Sequence, residues 1–222
     1  MDQYNVEFIK HLAVWTIPVL YAITMHEAAH GWVSHKLGDN TAYMLGRVSF
    51  NPFRHIDPVG TVLVPILLLF LGGFIFGWAK PVPVNDHNLK NPKRDMALVS
   101  LAGPVANIIM AIFWAFMIKL SFYLKAEGYD YYEILEAVGN AGVIINIVLG
   151  MFNLLPIPPL DGSKIAYSMM SRRIYFFYSK LEPYGFIIIL GMIVSGTLNE
   201  ILGPMVQTCY TIIYNLVFFT ST

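Results

Sequence analysis

Five stretches of this 222-residue chain contain no aspartate, glutamate, lysine or arginine, and each is 17 to 24 residues long. The hydrocarbon core of a bilayer needs about 20 apolar residues per helix. Charged residues make up 13% of the chain, against about 25% in soluble domains. The sequence therefore predicts an all-α polytopic membrane protein with about five to six membrane-embedded helical segments. The uncharged stretches are 58–79, 96–118, 137–160, 183–199 and 201–222.

The chain shows no repeat, no low-complexity linker and no polar stretch long enough for a soluble domain, so residues 1–222 are expected to form a single integral-membrane domain. The net charge is zero, which argues against nucleic acid as a partner. Cys209 is the single cysteine, which excludes an internal disulfide. The expected parts are a helix at 8–37, a strand and re-entrant region at 41–90, a helix at 96–118, a helix from 134 to the Asp-Gly pair at 161–162, and C-terminal helices within 184–220.

The stretch "HEAAH" at 26–30 places two histidines and a glutamate near the end of an apolar run. On a helix, His26 and His30 lie about 40° apart and so share one face. This spacing is typical of two ligands of one Zn²⁺. Glu27 lies beside them, where it can take a proton from a water that zinc activates. The alternative is two interfacial histidines with a snorkelling glutamate, but ionisable groups near the hydrocarbon are costly and usually mark function.

A catalytic zinc needs a third protein ligand and an open position, and Asp161 is the leading candidate. It follows "FNLLPIPPL" (152–160), whose three prolines lack an amide donor and must end or unwind the helix. Unwound backbone at membrane depth is tolerated only against protein or a polar cavity, so the carboxylate is expected to face a polar pocket, with a turn at Gly162. Alternatively, Asp161 caps the next helix. The other ionisable candidates are His11, His35, His55, His87, Asp57 and Glu200.

Three motifs, in this order, resemble those of the site-2 protease family of intramembrane zinc metalloproteases: "HEAAH" at 26–30, "GPVAN" at 103–107 and "NLLPIPPLDG" at 153–162. They span most of the chain, which is similar to the compact prokaryotic members without an inserted regulatory domain. The resemblance implies one Zn²⁺ per chain, and it implies that the ion is held by His26, His30 and Asp161. It also implies that Glu27 is the general base and that Asn153 helps to hold the substrate carbonyl or its oxyanion.

The activity implied by this resemblance is zinc-dependent hydrolysis of peptide bonds in or near transmembrane segments. The implied partners are a transmembrane protein substrate and the lipid bilayer. The side-chain amide of Asn153 is a donor of the kind that stabilises oxyanions, although it is equally suited to satisfying the unwound backbone near Pro156. A different class of function stays open, namely a catalytically silent membrane protein that binds or carries metal, or binds a partner, on the same scaffold.

Asn107 lies four residues after Gly103, on the same side of a predicted helix. Small residues let membrane helices approach closely, so Asn107 is interpreted either as a packing residue with one interhelical hydrogen bond or as a residue that orients a ligand or lines the cleft. Residues 41–52 contain strand-forming residues, and 78–85 alternate around two prolines, which predicts an edge strand or extended coil. These two segments are hypothesised to hold an unwound substrate by strand addition near the active site.

Eleven of the fourteen lysines and arginines fall in three segments, and basic loops remain cytoplasmic. If all three segments are cytoplasmic, both histidines and Asp161 reach the same side, and the active site lies near the cytoplasmic face of the cell membrane. The apolar stretch 58–76 is flanked by two of these segments. It is therefore predicted to make no net crossing and to form a re-entrant or hairpin-like insertion. The basic segments are 35–57, 77–95 and 161–182.

Overall fold

A computed structural model of the chain describes residues 3–64, 67 and 77–219. This part of the chain is built from helices and loops and contains no strand. Its α-helices are α1 (Gln3–Leu37), α2 (Thr41–Met44), α3 (Pro92–Ala126), α4 (Tyr132–Asn153), α5 (Asp161–Met169), α6 (Arg172–Tyr178), α7 (Gly185–Val194) and α8 (Thr197–Phe218).

Five helical segments in the described residues are long and apolar enough to cross a membrane, which confirms the prediction of an all-α polytopic membrane protein. Three of them, α1, α3 and α4, pack against one another and form the centre of the fold. Helix α5 packs on α3, and α8 packs on α3 and α4. The five segments are Leu12–Leu37, Pro92–Ala126, Tyr132–Asn153, Arg173–Val194 and Thr197–Phe218.

The largest apolar core lies between α3, α4 and α8, on the side of the bundle formed by the second half of α3. Trp114 and Ile118 of α3 pack there with Ile147 of α4 and Val217 of α8. Burying side chains of this size stabilises by about 1.5–3 kcal/mol each, although lipid replaces water as the competing environment on the outer faces. This core fixes α4 against α3 and thereby determines where the loop after α4 begins.

The helix ends differ from the sequence expectation where charged residues continue a helix. Helix α3 begins at Pro92 and runs to Ala126, beyond the expected 96–118, because proline is tolerated in the first turn and the flanking lysines are good helix formers. Helix α4 ends at Asn153, before the three prolines, and α5 begins at Asp161. The expected helix over 134–162 is therefore two helices joined by a turn.

The strand expected at 41–52 is wrong, because local side-chain bonds favour tight turns in this segment. The Asp39 carboxylate accepts a hydrogen bond from the Thr41 N–H and begins the short helix α2. Gly46 then adopts φ +64°, and the Asn51 side chain accepts from the Phe53 N–H to begin a 3₁₀ turn at Pro52–Arg54.

Residues 78–85 form neither a helix nor a strand, so the edge-strand alternative is wrong and the coil alternative remains. The re-entrant insertion expected at 58–76 falls largely on residues 65, 66 and 68–76, which lie outside the described residues. The two flanks of that stretch are described and lie side by side. The Trp78 N–H donates to the Gly60 carbonyl at 3.0 Å, and the Thr61 hydroxyl donates to the Trp78 carbonyl at 2.8 Å.

Candidate metal and catalytic site

Two buried histidines of α1 and one buried aspartate at the start of α5 bring their ligand atoms together. The Nε2 atoms of His26 and His30 are 3.0 Å apart, and Asp161 Oδ2 lies 3.1 Å and 3.2 Å from them. Tetrahedral zinc ligands at about 2.0–2.1 Å from the ion are separated by about 3.3 Å. The three atoms therefore fit around one zinc ion after widening by a few tenths of an ångström.

Helix α3 fixes the orientation of both imidazoles. His26 Nδ1 lies 2.7 Å from Asn107 Oδ1, and His30 Nδ1 lies 2.7 Å from the Val99 carbonyl oxygen. Both partners are acceptors, so each Nδ1 carries a proton, and each Nε2 is left as the ring atom that can ligate a metal. Such partners behind ligating histidines set the tautomer and the ring plane.

The amide of Asn107 is itself held in one orientation. Its Nδ2 donates to the Ala22 carbonyl and to Asn146 Oδ1, at 3.1 Å in each case. Asn146 in turn donates to the Gly142 carbonyl of its own helix. Because both amide hydrogens of Asn107 are engaged, its oxygen must face His26. Of the two interpretations of Asn107, orienting a ligand matches the geometry, and the interhelical bonds belong to the same network.

Gly103 provides the space in which the ligand atoms meet. A Cβ atom at this position would lie 2.5 Å from His30 Nε2 and 2.7 Å from His26 Nε2. Any side chain there would crowd the Nε2 atoms of both histidines. From the sequence, Gly103 is expected only to let helices pack closely, because a glycine in a helix gives no sign of which neighbour needs the space.

Asp161 is the first residue of α5, and the N-cap position of that helix is held by Leu160. The alternative role as a helix cap is therefore wrong in this structure. Burial by itself would raise the pKa of the Asp161 carboxyl, but hydrogen bonds with His26 and His30 lower that pKa well below its usual value. The carboxylate is charged at neutral pH, as a metal ligand must be.

Gly162 is needed next to Asp161 because of a close backbone approach. A Cβ atom at Gly162 would collide with the carbonyl oxygen of Leu154. Its φ is not in the left-handed region, so the expected turn at this glycine is replaced by tight packing of α5 against the end of α4. That packing aims the Asp161 side chain at α1.

Glu27 stands one residue after the first histidine and is half-buried. Its Oε2 accepts a hydrogen bond of 2.7 Å from the backbone N–H of Val82. Glu27 is outside the cluster of metal-ligating atoms, which leaves its carboxylate for proton transfer.

Asn153, the predicted oxyanion donor, lies in the last turn of α4 and is half-buried. One of its amide hydrogens goes to the Leu149 carbonyl of its own helix at 2.9 Å, and not to the backbone near Pro156. The other amide hydrogen has no bond in the described part of the chain. The role of Asn153 in catalysis stays a prediction.

The other ionisable candidates are outside the cluster of three within the described side chains. His55 is buried, and its Nε2 lies 2.9 Å from the Ser49 carbonyl oxygen. His87 is 91% exposed. The side chain of His11 lies outside the described residues.

The chain matches the family model described as Peptidase family M50 over residues 130–193. It is 36% identical over 208 residues to YwhC of Bacillus subtilis, which is named as a zinc metalloprotease, covering 93% of this chain and 92% of that protein. The chain belongs to the M50 peptidases, the site-2 protease family that the motifs indicated.

Two further M50 relatives match parts of the chain. Rip2 of Mycolicibacterium smegmatis, also named as a zinc metalloprotease, is 25% identical over 197 residues, covering 87% of this chain and 70% of Rip2. The regulator of sigma-E protease RseP of Escherichia coli is 35% identical over 112 residues, covering 48% of this chain and 25% of RseP. No solved structure matches the chain.

Proposed function

We propose that His26, His30 and Asp161 hold the zinc ion of this M50 peptidase and that Glu27 is its general base. The chain is a zinc-dependent intramembrane endopeptidase. The observation that carries the residue assignment is the convergence of three buried ligand atoms, all within 4.8 Å of one another, behind which both imidazole Nδ1 atoms are engaged.

Zinc, when bound, polarises the substrate carbonyl and lowers the pKa of a coordinated water to about 7. Residues of the chain orient the ligands, transfer the proton and stabilise the oxyanion. Asn107 and the Val99 carbonyl keep the two imidazoles in the ligating tautomer. Glu27 accepts the proton of the attacking water and passes it to the leaving amine. The free amide hydrogen of Asn153 donates to the developing oxyanion.

The proposed substrates are transmembrane segments of membrane proteins, and the proposed location of the site is near the cytoplasmic face. The exposed surface of α1 and α3 is apolar, as a lipid-facing surface must be; its large side chains include Leu12, Ile17, Ile109 and Phe113. The adjacent flanks at Gly60 and Trp78 support the proposal that 58–76 makes no net crossing. The segment 78–85 remains the proposed place for strand addition by the substrate.

Cleavage of a single-span membrane protein by the purified enzyme in detergent, together with zinc analysis, tests the assignment. Glu27→Gln should retain zinc and lose nearly all hydrolysis, because an amide cannot accept the proton. His26→Ala and Asp161→Ala should lose both zinc and hydrolysis. His87→Ala, at an exposed position outside the cluster, serves as the matched control and should retain both.

Near wild-type cleavage by Glu27→Gln would show that another group is the base. Full zinc occupancy in Asp161→Ala would remove Asp161 from the ligand set. Inactivity of the wild-type enzyme with zinc bound would instead favour the catalytically silent alternative. None of the described contacts favours that alternative.

A further inference from the structure

The carboxylate of Glu27 is held by a backbone group from a segment 55 residues further along the chain. The Val82 N–H donates to Glu27 Oε2 at 2.7 Å, and Val82 is buried. A carboxylate has two oxygens, and this bond fixes one of them. The other oxygen is then the one available to a water at the metal site.

Prolines on both sides of Val82 set the register of this contact. Pro81 and Pro83 have no N–H group. A slip of the segment by one residue in either direction would therefore present Glu27 with a residue that cannot donate. Proline also favours an extended conformation in the residue that precedes it. Pro83 therefore restricts the backbone of Val82, and Pro81 restricts the backbone of Lys80.

Three bonds anchor the segment around this contact. Arg47 Nη2 donates to the Lys80 carbonyl at 2.7 Å, and the Lys80 N–H donates to the His55 carbonyl at 3.0 Å. On the other side, the Asn85 N–H donates to Asp39 Oδ2 at 2.8 Å. The partners in these three bonds, Asp39, Arg47 and His55, all follow α1 in the chain. The bonds hold the segment around Val82 against the helix that carries Glu27.

The segment also packs directly on α1, one turn beyond Glu27. A Cβ atom at Gly31 would lie 3.0 Å from Val48 Cγ2 and 3.2 Å from Val82 Cγ1. The absence of a side chain at Gly31 thus lets Val82 approach the helix closely enough for its N–H to reach Glu27.

We propose that the backbone N–H of Val82 positions Glu27 for proton transfer, which makes Val82 a positioning residue of the peptidase reaction. The inference rests on the proposed role of Glu27 as the base. Misplacing a reacting group by about 1 Å can reduce the rate by about a hundredfold. Because the contact acts on the base and not on the substrate, its loss should lower kcat while KM and zinc content stay as in the wild type.

Val82→Pro tests this directly, since it removes the N–H that donates to Glu27. We expect kcat to fall roughly 10- to 100-fold with full zinc and unchanged KM. Lys90→Pro is the matched control, because Lys90 is exposed, lies outside 78–85, and its N–H makes no bond in the described part of the chain; it should keep wild-type kcat. Val82→Ala keeps the N–H and should restore most of the kcat that Val82→Pro loses.

Glu27→Gln is measured first on the same substrate. If it is active, the proposed base is wrong; if it is inactive while Val82→Pro has wild-type kcat, only the positioning role is wrong. A raised kcat in Val82→Pro, or a loss of zinc, also contradicts the proposal. Should Val82→Pro fail to accumulate in the membrane, Arg47→Met decides, because releasing the Lys80 carbonyl should lower kcat in the same direction, and unchanged kcat would overturn the inference.

Discussion

Asn107 Oδ1 lies 2.7 Å from His26 Nδ1 across the interface between α3 and α1. The pair connects the middle of one membrane helix to the metal-binding face of another. The contact should raise the affinity of His26 for zinc, because it keeps the proton on Nδ1 and leaves Nε2 free to bind the ion. A histidine whose Nδ1–H has no acceptor can rotate or place its proton on Nε2.

Asn107→Ala should weaken zinc binding about 10- to 100-fold, the usual effect of removing a partner behind a ligand. Competition with a zinc chelator measures this affinity. Asn140→Ala is the control, since among the described residues the side chain of Asn140 bonds within α4, to the Glu136 carbonyl. Equal chelator sensitivity of Asn107→Ala and the wild type would refute the orienting role.

Gly103→Ala should weaken zinc binding by crowding the Nε2 atoms of His26 and His30. A methyl group 2.5 Å from His30 Nε2 forces a shift of the ligands or of α3, and overpacking of this kind costs about 1–3 kcal/mol. We expect a roughly 10- to 100-fold loss of zinc affinity with the helical content unchanged. Gly191→Ala, whose added Cβ meets nothing within 4 Å, should bind zinc normally; a zinc-replete Gly103→Ala would contradict the proposed ligand geometry.

The loops on both sides of 58–76 should be accessible from one face of the membrane. Single cysteines in a Cys209→Ser background, at the exposed positions Met44 and His87, should both react with a membrane-impermeant thiol reagent from the cytoplasmic side. A cysteine at Tyr129, which is exposed between α3 and α4, should react from the opposite side. Labelling of Met44→Cys and His87→Cys from opposite faces would contradict the absence of a net crossing.

Asp39 should stabilise the fold in a pH-dependent way. Burial would raise the pKa of its carboxyl, but hydrogen bonds from Asn88, Thr41 and Asn85 lower that pKa below its usual value. A folded-state pKa below the unfolded value of about 3.9 means that the stabilisation is complete above that pH and is lost as the pH falls through the folded-state pKa.

Asp39→Asn should therefore lower the free energy of unfolding by about 1.5–3 kcal/mol at pH 7. The difference from the wild type should be constant between about pH 5 and 8 and should shrink below about pH 4. Unfolding of both metal-free proteins in detergent measures it. A difference that grows as the pH falls below 4 would exclude this account of Asp39.

The sequence alone predicted the structural features that depend on residues close together in the chain. Uncharged runs predicted the spanning helices, the four-residue spacing of His26 and His30 placed both on one face, and the prolines before Asp161 predicted the broken helix end. Each of these depends on residues within one or two turns of one another.

Contacts between segments that are far apart in the chain could not be predicted from the sequence. The Val99 carbonyl and the Val82 N–H are backbone groups that every residue type carries, so nothing in their side chains marks them as partners of His30 and Glu27. The strand at 41–52 was wrong for a related reason, because the side-chain bonds of Asp39 and Asn51 override the β propensity of that segment.

Helix α3 contributes no atom to the ligand cluster, yet it supplies both Nδ1 acceptors and the gap at Gly103. The ligands themselves come from opposite halves of the chain. Metal binding therefore reports on assembly of the entire bundle, and not on the presence of the HEAAH sequence. A nascent chain in which only α1 has been inserted carries the complete HEAAH motif but lacks Asp161 and α3. Such a chain cannot form the ligand cluster, so it cannot cleave other membrane proteins before Asp161 has been synthesised and packed.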